Sequence, residues 1–170
     1  MGKALFHLGQ FEDARKILEN VAQLDFTHAE AWYLMGNCEY HSGRYERAVN
    51  WYKKAIECDP AFVKAWYNKG INYADLSRFE DAVRCYDHCL RYNPGYAAIW
   101  SSKGVSLASL GRFEEAIECF DRAIVINPRN VSAWMDKGRG LSRLGRSDHA
   151  EECFATARAL PRRHELADIL

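Results

Sequence analysis

Apolar residues return along this chain in pairs of stripes at helical spacing. In 97–130, Ile99, Trp100, Leu107 and Leu110 make one apolar face, with polar residues between them. After Gly111, a second stripe runs through Phe113, Ala116, Ile117, Phe120, Ala123 and Ile124. Each stripe predicts a helix of about 13 residues. Gly111 suits the stop between them, because glycine adopts a left-handed backbone at little cost. Arg112 stands at the carboxyl end of the first helix, and Glu114 and Glu115 open the second, as the helix dipoles favour. Asn127-Pro128 ends the pair, since the residue before proline is pushed out of the helical region. The segment predicts an antiparallel helical hairpin.

The same pattern repeats every 34 residues, at Trp32, Trp66, Trp100 and Trp134. Gly36, Gly70, Gly104 and Gly138 follow each tryptophan by four. Ala14, Ala48, Ala82, Ala116 and Ala150 keep the period, as do Phe11, Tyr45, Phe79 and Phe113, and then Pro60, Pro94 and Pro128. A fixed period of this length marks one supersecondary unit stacked on copies of itself. With Trp as the fourth position, the full copies are 29–62, 63–96, 97–130 and 131–164. Residues 1–28 form the end of a truncated first copy, and 165–170 form a remnant. The whole of 1–170 is expected to be one array. Gly104 and Ala116 are expected to mark the closest approach of the two helices, with the tryptophan as the wedge beside it. In the last copy Ser147 replaces the aromatic and Pro161 comes one residue early, which predicts looser packing.

Trp, apolar-Gly, Gly-x-aromatic, Ala, aromatic, Ala and Pro in this order resemble the tetratricopeptide repeat, most closely in 29–62, whose residues 29–60 read AEAWYLMGNCEYHSGRYERAVNWYKKAIECDP. Lys69, Lys103 and Lys137 depart from the usual leucine before the glycine. Their stems are expected to lie along the packing while the charge stays exposed. The resemblance covers the whole chain. It implies an all-α, right-handed superhelical α-solenoid of antiparallel helix pairs, with a concave groove that holds a peptide or helix of a partner protein.

The groove positions of the first two full copies include Tyr33, Asn37, Lys64, Tyr67 and Asn68, which offer apolar area and amide hydrogen bonds. The third copy offers small residues, Ala98, Ser101, Ser102 and Val105, and the fourth offers Ser132, Met135, Asp136, Arg139 and Arg143. The expected contact residues are Tyr33, Asn37, Lys64, Tyr67, Asn68 and Ser102. One subfamily holds acidic chaperone tails through a carboxylate clamp. Asn37 and Asn68 match that clamp, but Tyr33, Ala98 and Ser102 stand where it needs cations. Without charge-assisted bonds the clamp loses its strong contacts.

Composition narrows the partners. The 23 basic and 23 acidic side chains cancel, which argues against nucleic acid or an anionic membrane surface. No apolar run approaches the roughly 20 residues of a membrane span, and the first residues carry no secretory pattern. The reading is therefore cytoplasmic. Cys85, Cys119 and Cys153 occupy one repeat position. Equivalent sites on stacked helices lie about 8–10 Å apart, beyond the roughly 7 Å that a disulfide tolerates. The six cysteines read as small hydrophobes in a reducing compartment. Cys85, His88 and Cys89 share a helix side, but Cys89 stands where other copies have Ala55, Ala123 and Ala157, a packing position. No metal or cofactor is expected, and no phosphate loop or nucleophile motif occurs. The periodic Arg44, Arg78, Arg112 and Arg146 are read as helix caps in the turns.

The expectation is a non-catalytic protein–protein interaction scaffold, monomeric, binding a protein or peptide. An alternative is the regulatory or substrate-recruiting part of a larger enzyme, which the truncated first copy favours. A third is a self-associating module that stacks through uncapped ends.

Overall fold

The computed structural model of the chain describes residues 2–160. Pro161, positions 161–164 of the last copy and the remnant 165–170 lie outside the described residues. Among the described residues there are ten helices and no strand. The chain divides between Pro94 and Gly95 into two compact units. The first holds α1 (Gly2–His7), α2 (Phe11–Leu24), α3 (Ala29–His41), α4 (Tyr45–Cys58), α5 (Val63–Asp75) and α6 (Phe79–Tyr92). The second holds α7 (Ala97–Ser109), α8 (Phe113–Ile126), α9 (Val131–Arg143) and α10 (Ser147–Ala159). Within each unit, successive helices pack on one another and hairpin stacks on hairpin.

The small residues make this stacking possible. Ala14, Ala48, Ala82 and Ala116 have no exposed surface, and Ala150 is nearly as buried. The periodic glycines serve a different neighbour from the one expected. A Cβ on Gly36 would stand 2.5 Å from the ring of Tyr52, and one on Gly104 would stand 2.6 Å from the ring of Phe120. Gly70 meets Tyr86, and Gly138 meets Phe154, in the same way. The wedge at the hairpin crossing is thus an aromatic of the second helix. It is not the periodic tryptophan, and Gly104 opposes Phe120 rather than Ala116.

The tryptophans fasten the incoming loop instead. The indole N–H of Trp32 donates to the carbonyl of Phe26 at 3.0 Å, that of Trp66 to Pro60 at 3.0 Å, and that of Trp134 to Pro128 at 3.0 Å. Each bond ties the loop six residues upstream to the first helix of its hairpin. Only Trp32 is buried; its ring stacks on Trp51 with centroids 5.4 Å apart. The departing lysines place their ammonium groups over these rings, Lys69 at 5.1 Å from Trp66 and Lys137 at 5.7 Å from Trp134. A cation over an indole face is attracted by the ring quadrupole. In the first full copy Met35 takes the lysine position, and Lys54 of α4 supplies the cation, 4.6 Å from both Trp32 and Trp51.

Hairpin turns use Gly9, Gly43, Gly111 and Gly145 with φ between 72° and 77°. The fifth turn puts Ser77 there with φ 57°. A left-handed conformation costs an L-residue about 1–2 kcal/mol. Ser77→Gly should therefore raise stability by about 0.5–1 kcal/mol after glycine's own entropic cost. Thermal unfolding of the variant checks this, with a rise of about 1–4 °C expected.

The arginines in the turns do not cap. Arg44, Arg78, Arg112 and Arg146 sit at helix N-caps without a side-chain cap bond. A guanidinium has only donors, whereas an N-cap must accept from backbone N–H groups. Arg78 reaches Asp81 at 2.7 Å, and Arg112 reaches Glu115 at 2.5 Å, across the first helical turn.

Candidate functional site

In the first unit, α3 and α5 run side by side as the first helices of successive hairpins, and their shared face carries three of the six expected contact residues, Tyr33, Asn37 and Asn68. Asn68 projects from α5 toward α3. Its Nδ2 donates to Oδ1 of Asn37 at 2.9 Å and to the hydroxyl of Tyr33 at 3.3 Å. The same Asn37 oxygen accepts from the hydroxyl of Tyr52 at 2.8 Å. Tyr33, Asn37, Tyr52 and Asn68 form one hydrogen-bonded cluster. It floors a cavity of about 270 Å³ walled by Tyr40, His41, Ile71 and Asn72.

Asn37 is the most buried of the expected contact residues. Only 8% of its surface is exposed, and its carbonyl oxygen already serves two donors. It holds Asn68 and Tyr52 in place. Asn68 and Tyr33 are half-buried, with surface left for contact. Tyr67 is also half-buried, packed against Tyr86 with centroids 5.9 Å apart. Lys64 is exposed at the start of α5. Ser102 belongs to α7 of the second unit, where its carbonyl accepts from Ser106 Oγ at 3.1 Å.

Two members of the site went unread in the sequence. Tyr52 lies on α4, outside the first-helix positions from which contacts were expected. Its signal was the hydroxyl at a ring position that is Phe120 and Phe154 in later copies. Burial pushes its phenol well above the ordinary range, so it stays a neutral donor. Asn72 is 1% exposed and donates to the carbonyl of Asn68 at 2.9 Å, while its Oδ1 has no hydrogen-bond partner among the described residues. Its signal was an amide at a position that is Cys38, Ser106 and Gly140 elsewhere.

Cys85, His88 and Cys89 do not converge. The thiol of Cys89 donates to the carbonyl of Val63 at 3.6 Å, and burial pushes its pKa up to about 12. Among the described residues none of the six cysteines is in a disulfide. His88 stacks on Trp66 with centroids 3.9 Å apart, and its Nδ1 is buried without a hydrogen-bond partner among the described residues. Partial burial, then the charges of Arg91 and Lys69, hold its pKa below the ordinary value. The folded chain thus binds this proton less readily than the unfolded chain. The stabilisation is present above about pH 6.5 and is lost as pH falls toward the folded-state value. Denaturant midpoints between pH 7.5 and 5 should decline, and His88→Gln should flatten that decline.

No helix among the described residues is long and apolar enough to cross a membrane. Among curated proteins, none matches this chain. The chain is similar in structure to MamA. One crystal structure of MamA superposes with a TM-score of 0.92 at 22% identity, over 99% of this chain and 97% of that one. A second gives 0.88 at 23% identity, over 92% and 86%. MamA from Desulfovibrio magneticus RS-1, residue 41 to the end, gives 0.89 at 22% identity, over 94% and 90%. These likenesses establish the fold, an all-α solenoid of helix pairs. The tetratricopeptide repeat family model matches residues 1–61 and 67–131, and the chain therefore belongs to the tetratricopeptide repeat family.

Proposed function

We propose that this protein is a non-catalytic interaction scaffold that binds an extended peptide or helix of a partner protein along the α3–α5 face. The observation that carries this reading is the Asn68 amide, held by Asn37 and Tyr33 at the edge of a cavity walled by aromatic rings. An amide fixed in this way pairs with a peptide backbone without losing rotamer freedom on binding. Tyr33 and Tyr67 supply apolar contact area, and Lys64 supplies a cation beside it. Tyrosines with few torsions are favoured where a small patch must provide most of the binding energy.

The test is selection of displayed peptides on the wild-type chain, followed by titration on variants. Asn68→Ala combined with Tyr67→Ala should weaken the selected peptides at least tenfold while the helical circular dichroism signal is kept. Unchanged affinity in that variant would overturn the site. Asn37→Ala is a poor test of contact, because it strands the Tyr52 hydroxyl and the Asn68 amide, which costs about 1–3 kcal/mol of stability.

A further inference from the structure

The second unit has a cavity between α7 and α9 that occupies the same repeat positions as the α3–α5 cavity, two periods later. Its chemistry is different. Where the first unit has Asn37, Tyr40 and His41, the second has Val105, Ala108 and Ser109. Loss of the Tyr40 ring and both amides opens the space to about 480 Å³. The floor is apolar, formed by Phe113, Phe120 and Phe154, and Val105 on the wall is 46% exposed. Asn68 becomes Asp136, Ile71 becomes Arg139, and Asp75 becomes Arg143.

The charges on the rim are not balanced. Arg139 is engaged by Asp136 at 2.6 Å. Arg143 lies over the ring of Phe113, 5.1 Å from its centroid, and has no carboxylate partner among the described residues. At the corresponding place in the first unit, the carboxylate Asp75 faces the Tyr40 hydroxyl, and burial followed by the Asp75 charge pushes that phenol up. In the second unit both members have changed, to an alanine and a cation. A guanidinium held over a ring is positioned in advance and can offer its N–H fork to a planar anion.

We propose that this cavity takes the aromatic or large aliphatic side chain of a peptide whose next residue is acidic, and that Arg143 receives that carboxylate. The assignment rests on the peptide-binding reading above for the class of ligand, and adds a second pocket with its own side-chain preference. The ring of the ligand fills the space beside Ala108, against Phe120 and Phe154. The carboxylate completes a charge-assisted pair that the described residues leave open. A polyanion fits poorly, because Asp136 stands on the same rim.

The experiment uses the full chain and a fluorescein-labelled octapeptide with one phenylalanine followed by one aspartate in a glycine–serine frame. Fluorescence anisotropy should show saturable binding. Changing the peptide's phenylalanine to alanine, or its aspartate to asparagine, should each weaken it about tenfold. Arg143→Gln should weaken the acidic peptide about tenfold and leave the asparagine peptide unchanged. Ala108→Tyr, which restores the residue found at position 40, should abolish binding by filling the cavity; Ala108→Leu replaces it if that variant does not fold. An acid-to-amide preference that survives Arg143→Gln overturns the assignment, as does binding that survives the filled cavity, or no binding at all. A mass that rises with concentration in the wild type but not in Arg143→Gln assigns the pocket to a second copy of this chain and likewise overturns it. Asn68→Ala is the separating control. It should leave the octapeptide's affinity unaltered, so a failure of the first-unit site and a failure of this pocket give different results.

Discussion

Phe120→Ala is expected to lower the stability of the second unit by about 3–5 kcal/mol, the usual cost of emptying a fully buried aromatic site. Phe120 is 1% exposed and its ring lies on Gly104, where no Cβ fits. The same geometry sets the sign of a second change. Gly104→Ala in the otherwise natural chain forces a methyl to within 2.6 Å of the ring, and should cost about 1–3 kcal/mol despite alanine's better helix propensity. In the Phe120→Ala background the obstruction is gone. There Gly104→Ala should stabilise by about 1 kcal/mol, the propensity difference alone. A double-mutant cycle from denaturant unfolding reads this reversal directly. Additive effects would show that glycine and ring do not share the space.

The second large effect concerns Glu39, whose side chain is 3% exposed in the first unit. It is paired with Arg44 through Nε and lies 3.7 Å from Nε of Arg15. Glu12 and Glu19 bind Arg15 from the solvent side, at 2.8 and 3.2 Å. Replacing both arginines, Arg15→Met with Arg44→Met, leaves a buried carboxylate without a cation and should cost about 3–5 kcal/mol. The repeat also supplies the apolar alternative. One period after another, the position of Glu39 is Tyr73, Leu107 and Leu141, and that of Arg15 is Val49, Val83 and Ile117. Ile117 and Leu141 lie in one apolar cluster of the second unit. Glu39→Leu with Arg15→Val should therefore match or exceed the wild-type stability, by up to about 4 kcal/mol. A double variant markedly less stable than wild type would mean that the charge network contributes more than its desolvation costs.

Legibility differed between framework and site, and the difference has a physical origin. A stripe of apolar residues such as Phe113, Ala116, Ile117 and Phe120 determines a helix and its buried face, because period and hydrophobicity are local properties of the chain. The proline and glycine stops are local too. The glycine–ring contact needed the other helix of the hairpin: the sequence shows that Gly104 must be small, but Trp100 and Phe120 are both periodic aromatics. Only packing tells which of them lies on the glycine. The arginine row was misread for a similar reason. Its position in the turn suggested capping, while Arg78 and Arg112 bond carboxylates one turn later and Arg44 bonds Glu39 upstream.

Tyr33, Asn37 and Asn68 were legible as candidates because the repeat assigns each of them to a first helix. Their hydrogen bonds to one another were not, since Asn37 and Asn68 are 31 residues apart and meet only when the hairpins stack. Tyr52 comes from a second helix, so the rule that found the others passed over it. By itself, then, the 34-residue period determined the helices, the stops, the small packing positions and the family. Tertiary structure alone decided which amide is buried in the framework and which keeps exposed surface. Burial and hydrogen-bond partners belong to pairs of residues that the chain brings together only on folding.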